Sequence, residues 1–370
     1  MKRFALSVIG AVAAVATTAA LAGPAMAQAK KPVNIYIWND YLGETTLADF
    51  TKATGYETKV DLYDSLELLE QKVLVGKSGY DVIVPTAEPT LSRMIQAKVV
   101  APLDKSKIPN LKNVDPKVLK LLENSDPGNK FAVPYLGGTV GIAIIPEKIK
   151  AVAPDVPLDS WDLIFKPEVA KKVASCGITV MDSAIDVIPS VLNYLGLDPN
   201  SEKKEDLDKV EKTLLAVRPY IKQFVTGGNI NILAAGDACV VMSYNGDAIQ
   251  GAARAEEAKN GVKVEYITPK EGVQVWWDTL AVPADAPNKA GAYEYINFVL
   301  DPANIAGISN KVNYANAVPA SLANVDEAVK SNAAVFLPED SKVKLFALKP
   351  IKQQTDRART RVWTKVKTGK

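Results

Sequence analysis

The sequence contains no histidine. That single absence removes Ser-His-Asp and Cys-His catalysis together with every histidine-ligated metal site. Cysteine is almost as scarce, with Cys176 and Cys239 alone. Aromatic residues make up only 7% of the chain, so any local cluster of them stands out. A strong charge of either sign is also missing: 44 Lys+Arg stand against 42 Asp+Glu, and Lys2 and Arg3 belong to an N-terminal leader. The remainder is near neutral, which argues against a nucleic-acid partner. Beyond the leader no stretch stays apolar for the roughly 18 residues that a membrane span needs, so the mature chain is expected to be soluble outside the cytoplasm.

The leader itself is a positive start, an apolar alanine-rich run over residues 4–22, and the close Pro24-Ala25-Met26-Ala27. This is the pattern of a secretory signal peptide over residues 1–27, with cleavage expected after Ala27. An exported chain with an even cysteine count usually pairs its thiols, so one disulfide, Cys176 to Cys239, is expected; the other reading is two buried free thiols. Hydrophobic residues at 48% of 370 are enough for one large domain or two moderate ones.

From residue 33 the pattern alternates strands and helices. A strand over 33–38 precedes a short helix carrying Leu47 and Phe50, closed by Gly55. A strand near 58–62 leads to a helix with Asp64 and Glu67 at capping-box spacing, a Leu66, Leu69, Val73 stripe, and a stop at Gly76. A buried strand over 80–85 and a helix over 90–97 complete a βαβαβ succession, which predicts a mostly parallel, doubly wound α/β sheet. Such sheets bind ligands beyond the carboxyl ends of their strands. Further on, a glycine-punctuated strand over 138–145 suits a crossing between lobes. Strands are expected over 177–181, 238–242 and 262–266, with helices through Val191, Leu192 and Leu195 and through Leu207, Val210, Leu214 and Val217. A helix over 290–300 follows, Asp301-Pro302 reads as cap and first position of another, and a basic helix over 356–367 packs through Ala358, Val362 and Val366. Its arginines and lysines read as a solvated face.

The run Val275-Trp276-Trp277-Asp278 is the most unusual in the chain. On a strand, Trp276 and Asp278 share one face and Trp277 packs on the other. A π surface beside an anion suits an organic cation; the plain alternative is a core tryptophan and a solvated aspartate. The strand ends as a set carry Trp38, Asp40, Tyr41, Thr86, Asp186, Tyr244, Asp247, Trp276, Asp278 and Tyr314, with no lysine or arginine among them. A glycosidase would use two carboxylates beside stacked rings, yet nothing distinguishes one carboxylate chemically from another. A hard-metal site would need clustered oxygens, yet there is no D-x-D-x-D-G loop. A site for amino acids would want an arginine for the ligand carboxylate, and no strand end supplies one.

Four phrases carry a family resemblance: Ile35-Tyr36-Ile37-Trp38-Asn39-Asp40-Tyr41, Tyr80-Asp81-Val82-Ile83-Val84-Pro85, Ser160-Trp161-Asp162-Leu163-Ile164, and Arg359-Thr360-Arg361-Val362-Trp363-Thr364-Lys365-Val366-Lys367. Through them the chain resembles the periplasmic polyamine-binding proteins of ABC importers, the putrescine binders above all. The resemblance implies a type II periplasmic binding protein with two α/β lobes and a hinged cleft. Lobe 1 would be 28–137 with 256–310, lobe 2 would be 138–255 with 311–370, and the crossings would lie near 133–143 and 262–275. It implies a monomeric carrier in the periplasm that hands a polyamine to the permease subunits of an ABC transporter, with no catalysis, no cofactor, no metal and no nucleic acid. The family's ligand-contacting positions fall on the ten strand-end residues above, and its disulfide on Cys176 and Cys239. Asp247 and Asp278 would serve one ammonium, and Asp40, Thr86 and Asp186 the other.

Departures from the putrescine pattern are Asn39 and Thr86 for serines, Asp186 for a glutamate, Tyr244 for a tryptophan, Glu88-Pro89 for serine and phenylalanine, and Trp276 for a phenylalanine. At Trp276 the chain resembles the spermidine binders. These changes leave the class intact and bear on which polyamine is preferred. Glu88, near the Thr86 end, would receive a third ammonium or else point to solvent.

Overall fold

The computed structural model describes Met1, residues 30–337 and residues 341–369. Apart from Met1, the expected leader and its cleavage point lie outside the described residues. Among the described residues no helix is long and apolar enough to cross a membrane.

Among the same residues eleven strands share one sheet. In chain order they are β1 (Val33–Trp38), β2 (Thr58–Tyr63), β3 (Val82–Ile83), β4 (Ala132–Ile144), β5 (Ile178–Val180), β6 (Gln223–Phe224), β7 (Val240–Tyr244), β8 (Glu265–Ile267), β9 (Val273–Ala281), β10 (Ala315–Asn316) and β11 (Leu345–Ala347). The main path runs β2-β1-β3-β9-β4-β7-β5-β6 and is not closed. Each flank is parallel: β1 pairs with β2 and β3, and β5 pairs with β6 and β7. Val33, Ile35 and Ile37 of β1 are fully buried on one face, and Tyr36 on the other is 8% exposed, so both faces of this parallel strand are covered at its centre.

Two long strands join the flanks. β9 runs antiparallel to β3 through Ile83 and Ala281, and β4 runs antiparallel to β9 from the Ala132–Ala281 pair to the Val140–Gln274 pair. β4 continues against β7 from Val140–Tyr244 to Ile144–Val240. The strand anticipated over 138–145 is β4, which starts six residues earlier, at Ala132, and its register against β9 shifts between Pro134 and Gly137. The second long strand is β9; of the strand expected over 262–266 only β8 forms, pairing with β4, and residues 262–264 lie outside the strands.

Gly137 and Gly138 are required by what faces them. A Cβ on Gly137 would meet the Trp277 indole at 2.7 Å, and one on Gly138 would meet Cζ2 of Trp276 at 2.7 Å. The tryptophan pair thus presses on β4 from opposite faces, and only a backbone without side chains lets the two bridging strands lie together.

The helices that matter to the site are α1 (Thr46–Thr54), α2 (Leu66–Leu74), α3 (Ala184–Tyr194), α4 (Lys204–Val217), α5 (Asn245–Glu257), α6 (Lys289–Val299), α7 (Pro302–Val312) and α8 (Gln353–Thr368). Phe50 of α1 packs edge-on to Tyr295 and Phe298 of α6 at 5.3 and 5.5 Å. Asp301 caps α7 as anticipated, its Oδ1 accepting from Ala303 N at 2.9 Å. Two local readings change. The cap of α2 is Ser65, whose hydroxyl accepts from Leu68 N at 3.3 Å, so Asp64 is left outside the helix. On α8 the basic cluster is not wholly solvated: Arg359 is buried, and its Nη2 donates to the carbonyls of Pro199 and Ser201 at 3.0 and 3.1 Å.

Cys176 and Cys239 form the expected disulfide, with Cα atoms 5.5 Å apart. They stand just before β5 and β7, which are parallel neighbours. The bridge closes a loop of 63 residues, and by chain entropy it stabilises the fold by about 4 kcal/mol. Urea denaturation of a Cys176→Ser, Cys239→Ser double variant is expected to show a loss of about 2–4 kcal/mol; unchanged stability would leave the bridge with no structural role.

Candidate functional site

All ten sequence-predicted residues line one cavity. Trp38, Asp40 and Tyr41 arrive from the carboxyl end of β1, Thr86 from beyond β3, and Tyr244 and Asp247 from the junction of β7 with α5. Asp186 sits in the first turn of α3, and Tyr314 just precedes β10. Trp276 and Asp278 are not at a strand end as expected; they lie inside β9, so a bridging strand supplies part of the cavity wall.

The rings form a chain of edge contacts. Tyr244 and Trp276 stand 5.4 Å apart at 73°, Trp276 and Tyr314 5.3 Å apart at 65°, and Tyr314 and Tyr41 5.4 Å apart at 69°. Trp38 joins at 6.4 Å from Tyr244 and 4.7 Å from Tyr63. Edge-to-face packing leaves ring faces turned towards the space between them.

The carboxylates are set into this apolar frame. Asp278 is 3% exposed and its Oδ1 accepts from Thr86 Oγ1 at 2.5 Å. Burial pushes its carboxyl up to about 7, against the pull of the Thr86 hydroxyl, with Asp186 adding to the rise. Asp247 accepts from the Tyr314 hydroxyl at 2.7 Å and is pushed by burial to about 6. Asp186 is also raised by burial, although Ser183, Tyr244 and Gln274 donate to it at 2.7, 2.9 and 2.9 Å. Three protein donors leave Asp186 less free to meet a ligand than Asp247 or Asp278. Asp40 stands apart: it is half-exposed, and its Oδ1 pairs with Arg254 Nη2 at 2.9 Å. Arg254 lies on α5, away from any strand end, which is why a search of strand ends passed over it.

Sequence reasoning also passed over Gln274, Asp64, Tyr63 and Thr226, all of which line the cavity. Gln274 was within reach, since the period-2 rule that pairs Trp276 with Asp278 puts residue 274 on the same face. Six buried polar atoms of cavity-lining side chains lack a hydrogen-bond partner: Trp38 Nε1, Tyr41 Oη, Glu88 Oε1, Thr226 Oγ1, Gln274 Oε1 and Trp276 Nε1. Buried polar groups are normally paired, so such a concentration marks a place built to meet something else. Among the described residues no lysine or arginine lines the cavity.

An open α/β sheet bridged by two long strands, with an aromatic, acidic cavity where they meet the strand ends, defines a protein that holds a small solute. The chain belongs to the bacterial extracellular solute-binding proteins, whose family model matches residues 45–337. It is 46% identical over 347 residues to the putrescine-binding periplasmic protein PotF of Escherichia coli K12, covering 93% of this chain and 94% of that protein. It is 42% identical over 371 residues to the putrescine-binding periplasmic protein SpuD of Pseudomonas aeruginosa, covering 100% of both. Among solved structures it resembles the spermidine/putrescine ABC transporter substrate-binding protein PotD of Streptococcus pneumoniae, with a TM-score of 0.72, 25% identity, and coverage of 92% of this chain and 99% of that one. The chain is thus a solute-binding transport protein and not an enzyme.

The raised carboxyls make stability depend on pH with a definite sign. Asp278 titrates near 3.8 unfolded and about 7 folded, so between those values the folded, ligand-free chain holds a proton that the unfolded chain has released. Its contribution is greatest below about pH 4 and is lost as pH rises through 7, a span of about 4 kcal/mol for this one buried group. Scanning calorimetry of the ligand-free protein is expected to give a lower Tm at pH 8 than at pH 5.5, with Asp278→Asn shrinking the difference.

Proposed function

We propose that this protein captures a polyamine in the cavity and delivers it to the permease subunits of an ABC importer, working as a single chain in the periplasm. The observation that carries the reading is the imbalance of charge: Asp186, Asp247, Asp278 and Glu88 are set among aromatic rings with no lining lysine or arginine to neutralise them. A polyamine brings the missing charge. Its ammonium groups meet the carboxylates, and its methylenes lie against the rings of Trp38, Tyr244 and Trp276. The putrescine-binding names of the similar proteins from Escherichia coli and Pseudomonas aeruginosa support the same reading.

Asp278 and Asp247 are the principal counter-ions in this reading, because each is raised in pKa by desolvation and accepts from a neighbouring hydroxyl, Thr86 and Tyr314 respectively. Asp186, already saturated, acts through the field it adds. Asp40 acts at the rim, where the Asp40–Arg254 pair joins the end of β1 to α5. The lobes would be residues 28–137 with 256–310 and residues 138–255 with 311–370, hinged at the two bridging strands. X-ray scattering with and without saturating putrescine tests the hinge: a smaller radius of gyration with ligand is expected, and superimposable curves would refute closure.

Titration calorimetry against polyamines, sugars and amino acids tests the ligand class. Polyamines alone should bind. Asp278→Asn and Asp247→Asn should each weaken putrescine by roughly 2–5 kcal/mol, since each leaves a buried ammonium short of its counter-charge. Trp276→Ala should cost about 1–2 kcal/mol, a lost cation–π contact with its packing. Parental affinity in either asparagine variant would move the pocket elsewhere.

A further inference from the structure

Residues assigned to different lobes also meet away from the aromatic cavity, at a seam beside the head of α8. Arg93, on the short helix Ser92–Gln96, belongs with residues 28–137. Asp356, in the first turn of α8, belongs with residues 311–370. Across the seam Arg93 Nη1 pairs with Asp356 Oδ1 at 2.8 Å. Neither residue lines the aromatic cavity.

Each partner is fixed from its own side. Arg93 donates from Nε and Nη2 to Glu70 Oε1 on α2, at 2.9 and 2.7 Å, which orients the planar guanidinium and leaves Nη1 for Asp356. The first turn of α8 is fastened by Thr355 Oγ1 donating to Glu202 Oε2 at 2.7 Å, and by the bonds from Arg359 to the carbonyls of Pro199 and Ser201. Asp356 is therefore placed by its sequence neighbours and not by Arg93. The seam itself is loosely filled, since Glu70, Pro89, Arg93, Ile351 and Asp356 line two cavities there. A contact built to stay shut would be packed as densely as an interior.

We propose that Arg93 and Asp356 form a latch, made when the lobes close and broken when they part, that sets how long a bound solute stays. The proposal rests on the two-lobed polyamine reading and adds to it a pair of positioning residues remote from the solute. Because the latch touches no ligand, it stabilises the closed form by a fixed amount and slows release of every polyamine by the same factor. Both halves are oriented before they meet, so little side-chain freedom is lost on pairing. Glu70 keeps Arg93 paired when the lobes part, so opening strands no guanidinium. With side chains 25% and 33% exposed, the pair stays open to screening by salt, which keeps the latch weak enough to release.

The test is stopped-flow tryptophan fluorescence of the leaderless full chain with putrescine and with spermidine, for the parent, Asp356→Asn, Arg93→Lys and the double variant, beside the Tm of each ligand-free protein. Asp356→Asn leaves Arg93 with Glu70; Arg93→Lys keeps the charge and loses the fork that serves both carboxylates. Each single variant is expected to raise koff about two- to fivefold, equally for both amines, with kon and the ligand-free Tm unchanged. The double variant should release no faster than the singles, and 1 M salt should bring the parent towards the variants. Unchanged koff in Asp356→Asn overturns the latch. A lower ligand-free Tm in Asp356→Asn overturns it too, because the pair would then exist without closure, and so does a factor that differs between the two amines. A parent that binds neither amine overturns the polyamine reading and the latch with it, a result seen before any substitution is made.

Discussion

Uncompensated negative charge held in an apolar frame is the constraint on which the rest of this structure depends. An ionised carboxylate away from water is costly unless it is paired, and proteins commonly answer by letting it take a proton. Here burial lifts Asp278 to about 7 and Asp247 to about 6, so the protein sits where a small change in surroundings tips both groups. A bound dication would supply that change, and the same desolvation that destabilises the free form strengthens the attraction in the complex. The cavity is therefore a source of instability that binding would convert into affinity.

The backbone supports this by bringing unlike parts of the chain to one place. Two parallel flanks alone would put their carboxyl ends at separate edges; β4 and β9 join them, and β9 contributes Gln274, Trp276 and Asp278 from its own interior. That close union needs Gly137 and Gly138 opposite the two indoles. Trp277, which does not line the aromatic cavity, packs on the outer face of the same strand pair. One dipeptide thus serves packing on one side and the site on the other.

Much of this was legible in the sequence for physical reasons. Period-2 alternation put Trp276 and Asp278 on one face, and the βαβ succession pointed to strand ends, where Trp38, Thr86 and Tyr244 do lie. The family resemblance carried the full ten residues to a single cavity. What was not legible depended on three-dimensional packing. Pro134 and the paired glycines look like breaks in a strand, and only the facing tryptophans explain why they continue one. The role of Ser65 over Asp64 at the head of α2 turns on one hydrogen bond. Arg254 and Arg359 looked like ordinary surface charge, because nothing local says that one reaches Asp40 and the other reaches carbonyls about 160 residues away.

Gln274 sets the polarity of the inner wall. An amide side chain has a donor end and an acceptor end, and rotating it exchanges them. Because Asp186 can only accept when ionised, it claims the NH2 end and turns the carbonyl oxygen away from itself. Glu88, Asp247 and Asp278, which line the same cavity, bring only oxygens as their polar side-chain atoms. Under the proposed reading, a solute that brought a carboxylate to this wall would meet lone pairs facing lone pairs, whereas an amine would meet acceptors. The polarity of that stretch of wall thus depends on the orientation of one neutral side chain, held by a carboxylate that already accepts three hydrogen bonds.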